Sequence, residues 1–177
     1  NAVELGKVIA NRLPENAIVS DEGATNGLGA FLMTGNAAPH DWLTLTGGAI
    51  GQGLPLALGA AVACPDRKVL ALEADGSAMY TVQALWTMVR EDLDVTVLIL
   101  NNGSYAILNI ELARVGVEKP GPTALSLLDL TNPAIKWTDI AKGMGMAAER
   151  VDTVEALDSA MDLAMAERGP RLIEVIL

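Results

Sequence analysis

Val95-Thr96-Val97-Leu98-Ile99-Leu100, closed at once by Asn101-Asn102-Gly103, constrains this chain more than any other stretch. A β-branched, almost wholly apolar run of that length reads as a strand buried on both faces, the pattern of a parallel sheet. Upstream, Lys68-Val69-Leu70-Ala71-Leu72-Glu73-Ala74 has the same character and is closed by Asp75-Gly76-Ser77. Between the two, residues 78–90 carry Val82, Leu85, Trp86 and Val89 at helical spacing, with Gln83, Thr87 and Arg90 on other faces. A strand, a helix and a strand of these lengths predict a right-handed crossover between adjacent parallel strands. Both turns then lie at one edge, so Asp75 and Asn102, 27 positions apart, converge. Doubly wound folds bind their ligands at that carboxyl edge.

The residue types at this edge suggest what it holds. Asp-Gly and Asn-Gly are each ordinary turn dipeptides, and it is their pairing that singles them out. A carboxylate beside an amide oxygen is a hard donor set, suited to magnesium or calcium shared with phosphate. Gly76 and Gly103 allow close backbone approach, and Ser77 is expected to open a helix whose free N–H groups favour an anion.

The remaining elements alternate. Residues 3–13 predict an amphipathic helix ending near Pro14, residues 17–20 a strand, and residues 21–26 the loop beyond it. Residues 42–46 read as a second strand and residues 53–62 as a helix of small residues. Residues 103–132 are the least regular region, with Pro120-Gly121-Pro122 as an exposed connection. Asn132-Pro133 looks like a helix start, continued through residues 135–143. Asp152 with Glu155 resembles a capping box opening a helix over 153–167; Gly169-Pro170 ends it, and residues 172–176 form a last buried strand. This pattern predicts an α/β fold, a doubly wound and mainly parallel sheet with helices on both faces, in a single domain over residues 1–177.

A mean hydropathy of +0.34 with only 19% charged residues is apolar for a free-standing domain. No apolar run approaches a membrane span, so the excess is expected to face other domains or subunits. A formal charge of −10 argues against nucleic acid as a partner. One cysteine, Cys64, rules out an internal disulfide framework and fits a reducing, cytoplasmic compartment. The chain opens at Asn1 without a targeting pattern and reads as a piece of a longer polypeptide.

Rival motifs find no support. The glycines at 48, 51 and 53 do not form G-x-G-x-x-G, and no glycine-rich loop ends in Lys-Ser or Lys-Thr. No G-x-S-x-G elbow accompanies His40, the one histidine, which reads as a loop residue at the surface, or failing that one near a substrate pocket. Met144 and Met146 suit core filling, and Glu111, Arg114, Glu118 and Lys119 a solvated face.

Asp75-Gly76-Ser77 and Asn101-Asn102 at this interval resemble the diphosphate–magnesium motif of thiamine diphosphate-dependent enzymes. Residues 74–108, with Ser-Ala-Met-Tyr, Ala-Leu-Trp-Thr and Asn-Asn-Gly-Ser-Tyr, are similar to the group containing acetolactate synthase large subunits and benzoylformate decarboxylase. Gly48-Ala49-Ile50-Gly51-Gln52-Gly53-Leu54-Pro55 resembles that family's glycine-rich loop, and the likeness runs from about Val19 through the final strand. Two departures stand out: Ala74 occupies a position usually glycine, and Gln52 one that is often aromatic.

The resemblance implies thiamine diphosphate and Mg2+ as cofactors, the metal held by the side-chain oxygens of Asp75 and Asn102 and the backbone carbonyl of Ser104. It places Gly76 and Ser77 on the diphosphate with Tyr105 close by, and Thr25 and Asn26 on its other side. Gly48, with Ala49 beside it, would accept a hydrogen bond from the cofactor's amino group, while Ile50 would be the apolar wedge beneath its two rings. Ile107 and Leu108 are candidates to line the acyl pocket. The implied reaction is decarboxylation of a small 2-oxo acid and transfer of the resulting acyl-anion equivalent, as in acetolactate synthases. The alternatives are a benzoylformate decarboxylase-like non-oxidative decarboxylase, or a non-catalytic nucleotide- or metal-binding α/β module. The family supplies its activating glutamate from a pyrimidine-binding domain of the same or a neighbouring subunit. Glu22 and Glu73 are at the wrong sites for that role, so no catalytic acid is expected here and the chain alone should be inactive. A C-terminal piece of a three-domain enzyme, assembled as a homodimer or homotetramer, follows from the same likeness.

Overall fold

Strands that are apolar on both faces need helices above and below them. A computed structural model describes residues 2–117 and 119–177 and has that arrangement; Glu118, assigned above to the solvated face, lies outside the described residues, as does Asn1. In chain order the elements are α1 Ala2–Arg12, β1 Ile18–Glu22, α2 Ala24–Met33, β2 Asp41–Thr44, α3 Gly53–Ala63, β3 Val69–Ala74 and the single turn α4 Asp75–Ala78. There follow α5 Ala84–Arg90, β4 Val95–Asn101, α6 Ala106–Arg114, α7 Pro122–Ser126, α8 Trp137–Gly143, β5 Ala147–Val151, α9 Val154–Ala166 and β6 Arg171–Ile176.

The six strands form one sheet in the order β2-β1-β3-β4-β6-β5, and every pair is parallel. Alternate residues of the central strands feed two separate cores. Leu70, Leu72, Leu98 and Leu100 pack with Leu5, Ile9 and Met161 of α1 and α9, while Val69, Ala71, Val97 and Ile99 pack with Leu54, Leu85 and Trp137 of α3, α5 and α8. The period of two along a strand produces this split. The chain is therefore a doubly wound α/β fold, as the sequence predicts. Its strand order reverses between β1 and β3, and the crevice outside such a reversal is where ligands sit.

Several local expectations need correction. The helix expected over residues 78–90 is two pieces, because the backbone turns through residues 79–83 between α4 and α5. Strand β1 continues through Asp21 and Glu22, expected in a loop, because β3 pairs with it along its whole length, Glu22 against Glu73. Thr25 and Asn26 fall in the first turn of α2 rather than in that loop. The irregular stretch 103–132 contains α6 and α7. Asn132-Pro133 forms a turn between the bridged residues Thr131 and Ala134, and the helix begins later, at Trp137. Thr153, not Asp152, caps α9, its hydroxyl accepting the N–H of Ala156.

Strand β5, absent from the sequence reading, pairs with β6 at the sheet edge, where only Val151 is buried. Met146 is buried and Met144 packs against the same core, as expected of gap-filling methionines. Exposed apolar side chains include Leu28, Phe31 and Leu32 on α2, Val62 on α3 and Trp86 on α5. Among the described residues, no helix is long and apolar enough to cross a membrane.

Candidate functional site

The carboxyl ends of β1, β3 and β4 meet on one side of the sheet, and the two polar turns meet with them. Asp75 leaves β3 with 1% of its surface exposed, and its Oδ2 accepts the N–H of Gly103 at 2.9 Å, across 28 positions of sequence. The same N–H is shared with Asn101 Oδ1 at 3.0 Å. Asn101 turns toward the sheet, its Nδ2 donating to Glu174 of β6 at 2.8 Å. Asn102 lines a cavity instead, its Oδ1 accepting the N–H of Ser104. The loop is braced from behind: Tyr105 N–H donates to Leu128 O, Leu130 N–H to Gly103 O, and Ser104 bridges Asp129.

Two glycines are required by this geometry. Gly103 has a φ of +66°, in the left-handed region, and a Cβ there would stand 2.8 Å from Thr131 Cγ2. A Cβ on Gly76 would stand 2.4 Å from the Tyr105 ring, which therefore lies directly against the Gly76 backbone. Ala74, where glycine was expected, adopts ordinary extended backbone (φ −80°, ψ 151°) and tolerates its methyl group. The turn after β3 begins at Asp75, not Ser77. Ser77 Oγ is engaged locally with the N–H and C=O of Ala74, so its backbone alone is left to meet a ligand.

Asp75 Oδ1 has no hydrogen-bond partner although it is buried. Burial pushes the Asp75 carboxyl above its usual range, opposed by the surrounding N–H groups of Gly103, Gly76, Asp75 itself and Asn102. A buried, unpartnered carboxylate oxygen is rare in folded proteins and calls for a partner such as an ion. Among the described residues, no cluster of three His, Cys, Asp or Glu side chains is placed to hold a metal. A cation here must therefore draw on a mixed set, one carboxylate with amide and backbone oxygens, and that is the oxygen-rich chemistry magnesium accepts.

The cavity measures about 440 Å3. Thr25 lines it from α2, Ile50 from the glycine-rich loop, and Gly76 and Ser77 from the turn after β3. Asn102, Ser104 and Tyr105 line it from the turn after β4, and Ile107 and Leu108 from the start of α6. Leu127, Leu128 and Tyr80 complete its apolar wall and were not foreseen, because residues 127 and 128 arrive from a segment with no regular pattern. Four expected residues are not among the lining, the first being Asp75, which is buried between the lining residues Ala74 and Gly76. Asn26 is half-buried beside the cavity, and Gly48 and Ala49 are exposed on the loop, where Gly48 O already accepts the N–H of Ile50 at 3.0 Å. His40 precedes β2 at the opposite, amino edge, half-buried, with Nδ1 beside Ala38 O and its ring edge-on to Trp42. It takes no part in this cavity.

Two further carboxyls lie beneath the glycine-rich loop. Glu22 and Glu73, neighbours across β1 and β3, are 2% and 1% exposed, and neither lines the cavity. Burial first, and then the charge of Glu22, hold the Glu73 carboxyl well above its usual range.

The family model described as "Thiamine pyrophosphate enzyme, C-terminal TPP binding domain" matches residues 21–175. The chain is 55% identical over 176 residues to a Mycobacterium tuberculosis (strain ATCC 25618 / H37Rv) protein provisionally named acetolactate synthase large subunit IlvX, covering 99% of this chain and 34% of that protein. It is 32% identical over 169 residues to a benzoylformate decarboxylase of Pseudomonas aeruginosa, covering 95% of this chain and 30% of the relative. Among solved structures, a Rhodococcus jostii RHA1 thiamine diphosphate-dependent 4-hydroxybenzoylformate decarboxylase superimposes with a TM-score of 0.85 at 29% identity, over 98% of this chain and 32% of that one. The chain thus spans about a third of the length of the relatives it matches.

Proposed function

The chain belongs to the family of C-terminal thiamine pyrophosphate-binding domains of thiamine pyrophosphate enzymes, and from that membership we propose that it anchors the diphosphate of the cofactor through Mg2+ within an acetolactate synthase-like enzyme acting on 2-oxo acids. The observation that carries this reading is Asp75 Oδ1, buried and unpartnered on the residue between the cavity-lining Ala74 and Gly76. Asp75, Asn102 Oδ1 and the Ser104 carbonyl would hold the metal, while Gly76 and Ser77 meet the diphosphate and Thr25 flanks it. Ile50, on the cavity lining, would support the cofactor's rings, and Gly48 and Asn26 would meet the cofactor from outside that lining.

When bound, thiamine diphosphate supplies the carbon nucleophile that adds to the 2-oxo acid carbonyl and accepts the electrons released with CO2. This chain's own contribution is placement. The oxygens of Asp75 and Asn102 would fix one end through the metal, Tyr105 packs on the Gly76 backbone, and Ile107, Leu108, Leu127 and Leu128 would present an apolar surface to the acyl group. No carboxyl lines the cavity to activate the aminopyrimidine ring: Asp75 is assigned to the metal, and Glu22 and Glu73 lie outside the lining. That acid is assigned to a pyrimidine-binding domain of the same or a neighbouring subunit, in a cytoplasmic homodimer or homotetramer, and turnover requires it. The apolar wall also suits the second reading, a non-oxidative decarboxylase of benzoylformate type that protonates its product rather than transferring it.

The test is calorimetric titration of the full-length protein with thiamine diphosphate and Mg2+. Asp75→Ala and Asn102→Ala are each expected to weaken binding more than about a hundredfold, beyond the loss seen on removing an outer hydrogen-bond partner of a metal ligand. Binding unchanged in either variant rejects this metal site.

A further inference from the structure

Glu22 touches no part of the cavity, yet it is tied to the loop that does. Its two carboxylate oxygens accept the N–H groups of Gly51 and Gly53, on either side of Gln52. Gly51 has a φ of +96°, and its carbonyl accepts a hydrogen bond from Thr81 Oγ1 at 3.1 Å, so its N–H and C=O are both held. Gln52 fastens the other limb, donating from Nε2 to Thr44 O and accepting the Thr46 N–H, both at 3.2 Å. Ile50, adjacent to Gly51, projects into the cavity from the loop so held.

The chemistry of the grip is specific to a carboxylate. Two N–H groups converge on one side chain, and only Asp or Glu offers two acceptor oxygens with no donor. Gln would turn an NH2 toward one of the N–H groups, and Asp would fall short by a methylene. The space is shaped for this side chain as well: a Cβ on Gly53 would stand 2.8 Å from Glu22 Oε2 and 2.1 Å from Glu73 Oε1.

We propose that Glu22 is the positioning residue of the glycine-rich loop, setting where Ile50 and the Gly48 carbonyl meet the ring end of the cofactor without contacting it. The proposal rests on the reading above that this cavity holds thiamine diphosphate. It assigns the two ends of the cofactor to different anchors, the diphosphate to Asp75 and Asn102 and the rings to Glu22 acting through the loop.

Two measurements on the full-length protein test it. In the cofactor-free state, hydrogen exchange over residues 46–53 is expected to quicken about tenfold or more in Glu22→Gln, while residues 95–101 keep wild-type protection, as befits a local opening. With thiamine diphosphate and Mg2+ added, the circular dichroism induced in the bound cofactor should fall to about half or less, while affinity stays within about tenfold of wild type, a separation that general loss of structure does not produce. Glu22→Asp should be intermediate in both, and Thr81→Val, which frees the Gly51 carbonyl, should repeat the pattern more weakly. Unchanged exchange in Glu22→Gln overturns the grip. Quickened exchange with a wild-type induced signal overturns its effect on the cofactor. If the wild-type protein binds no cofactor, the functional reading fails and this inference with it, an outcome distinct from the other two.

Discussion

The two ends of the sheet carry cavities of similar size and opposite character. At the amino edge a space of about 520 Å3 is bordered by Arg67, Lys68 and Asp94, and these three are paired: Lys68 with Asp94 at 2.5 Å and Arg67 with Asp41 at 2.6 Å. At the carboxyl edge the smaller cavity, about 440 Å3, adjoins a carboxylate with an unpartnered buried oxygen. Volume does not tell these apart. What differs is whether the charged groups named at each edge find partners within the fold, and Asp75 Oδ1, which does not, is where a ligand would complete the structure.

The sharpest way to break this contrast is to disturb one charge at each end. Lys68→Met leaves Asp94, its side chain 9% exposed, with only the more distant Arg168 at 3.9 Å as its cation and should cost up to about 3 kcal/mol in urea denaturation. The same change should leave the affinity for Mg2+ and thiamine diphosphate intact. Asp75→Asn should do the reverse, abolishing the rise in melting temperature that the ligands produce while the ligand-free protein melts no lower than wild type. Loss of ligand binding in Lys68→Met, or ligand-dependent stabilisation surviving in Asp75→Asn, would dissolve the distinction between the edges.

A smaller effect tests the brace between the turns. Gly103→Ala forces a Cβ into left-handed backbone and against Thr131, so about 1–2 kcal/mol of stability should be lost from the backbone conformation alone. The variant should also bind Mg2+ more weakly, because the Gly103 N–H fixes Asp75. Equal stability by thermal melting would mean that the loop adapts and that the turn is not the rigid part of the site.

The smallest effect is one of pH. Glu73 and Asp75 both have carboxyls raised in the folded, ligand-free state, chiefly by burial. A raised acid holds its proton more tightly folded than unfolded, so stability falls as pH rises from the usual carboxylate range through the folded-state value, and levels off above it. For one group the slope cannot exceed about 1.4 kcal/mol per pH unit. Glu73→Gln should flatten the part of the decline due to Glu73, and melting temperatures recorded across that range check it. A profile as steep as wild type in that variant would remove Glu73 as a contributor.

Legibility followed burial. β3 and β4 can be read because each is apolar on both faces and closed by a turn, and their parallel pairing brings Asp75 against the turn that holds Asn102 and Gly103. β5 could not, since Ala147-Ala148-Glu149-Arg150-Val151 lies at an edge and buries one residue. Helix α2 was hidden for a different reason. It buries its small residues, Gly27 and Ala30, while Leu28, Phe31 and Leu32 face outward, the reverse of the stripe that marks a helix on a core. Gly27 is small because the Asp21 carboxylate occupies the space a Cβ would need, at 2.3 Å, a contact no sequence pattern announces.

The sequence by itself determined the parallel sheet, the edge at which the site forms and the oxygen donors placed there. Those follow from local periodicity and from the fixed hand of a crossover, which act over a few tens of residues. The tertiary structure alone decided which donors are left unpartnered, that Leu127 and Leu128 close the cavity, and that Glu22 grips the loop. Each of these depends on two segments meeting from distant parts of the chain, where hydrogen bonding and burial are settled by the packed whole and not by either segment's own residues.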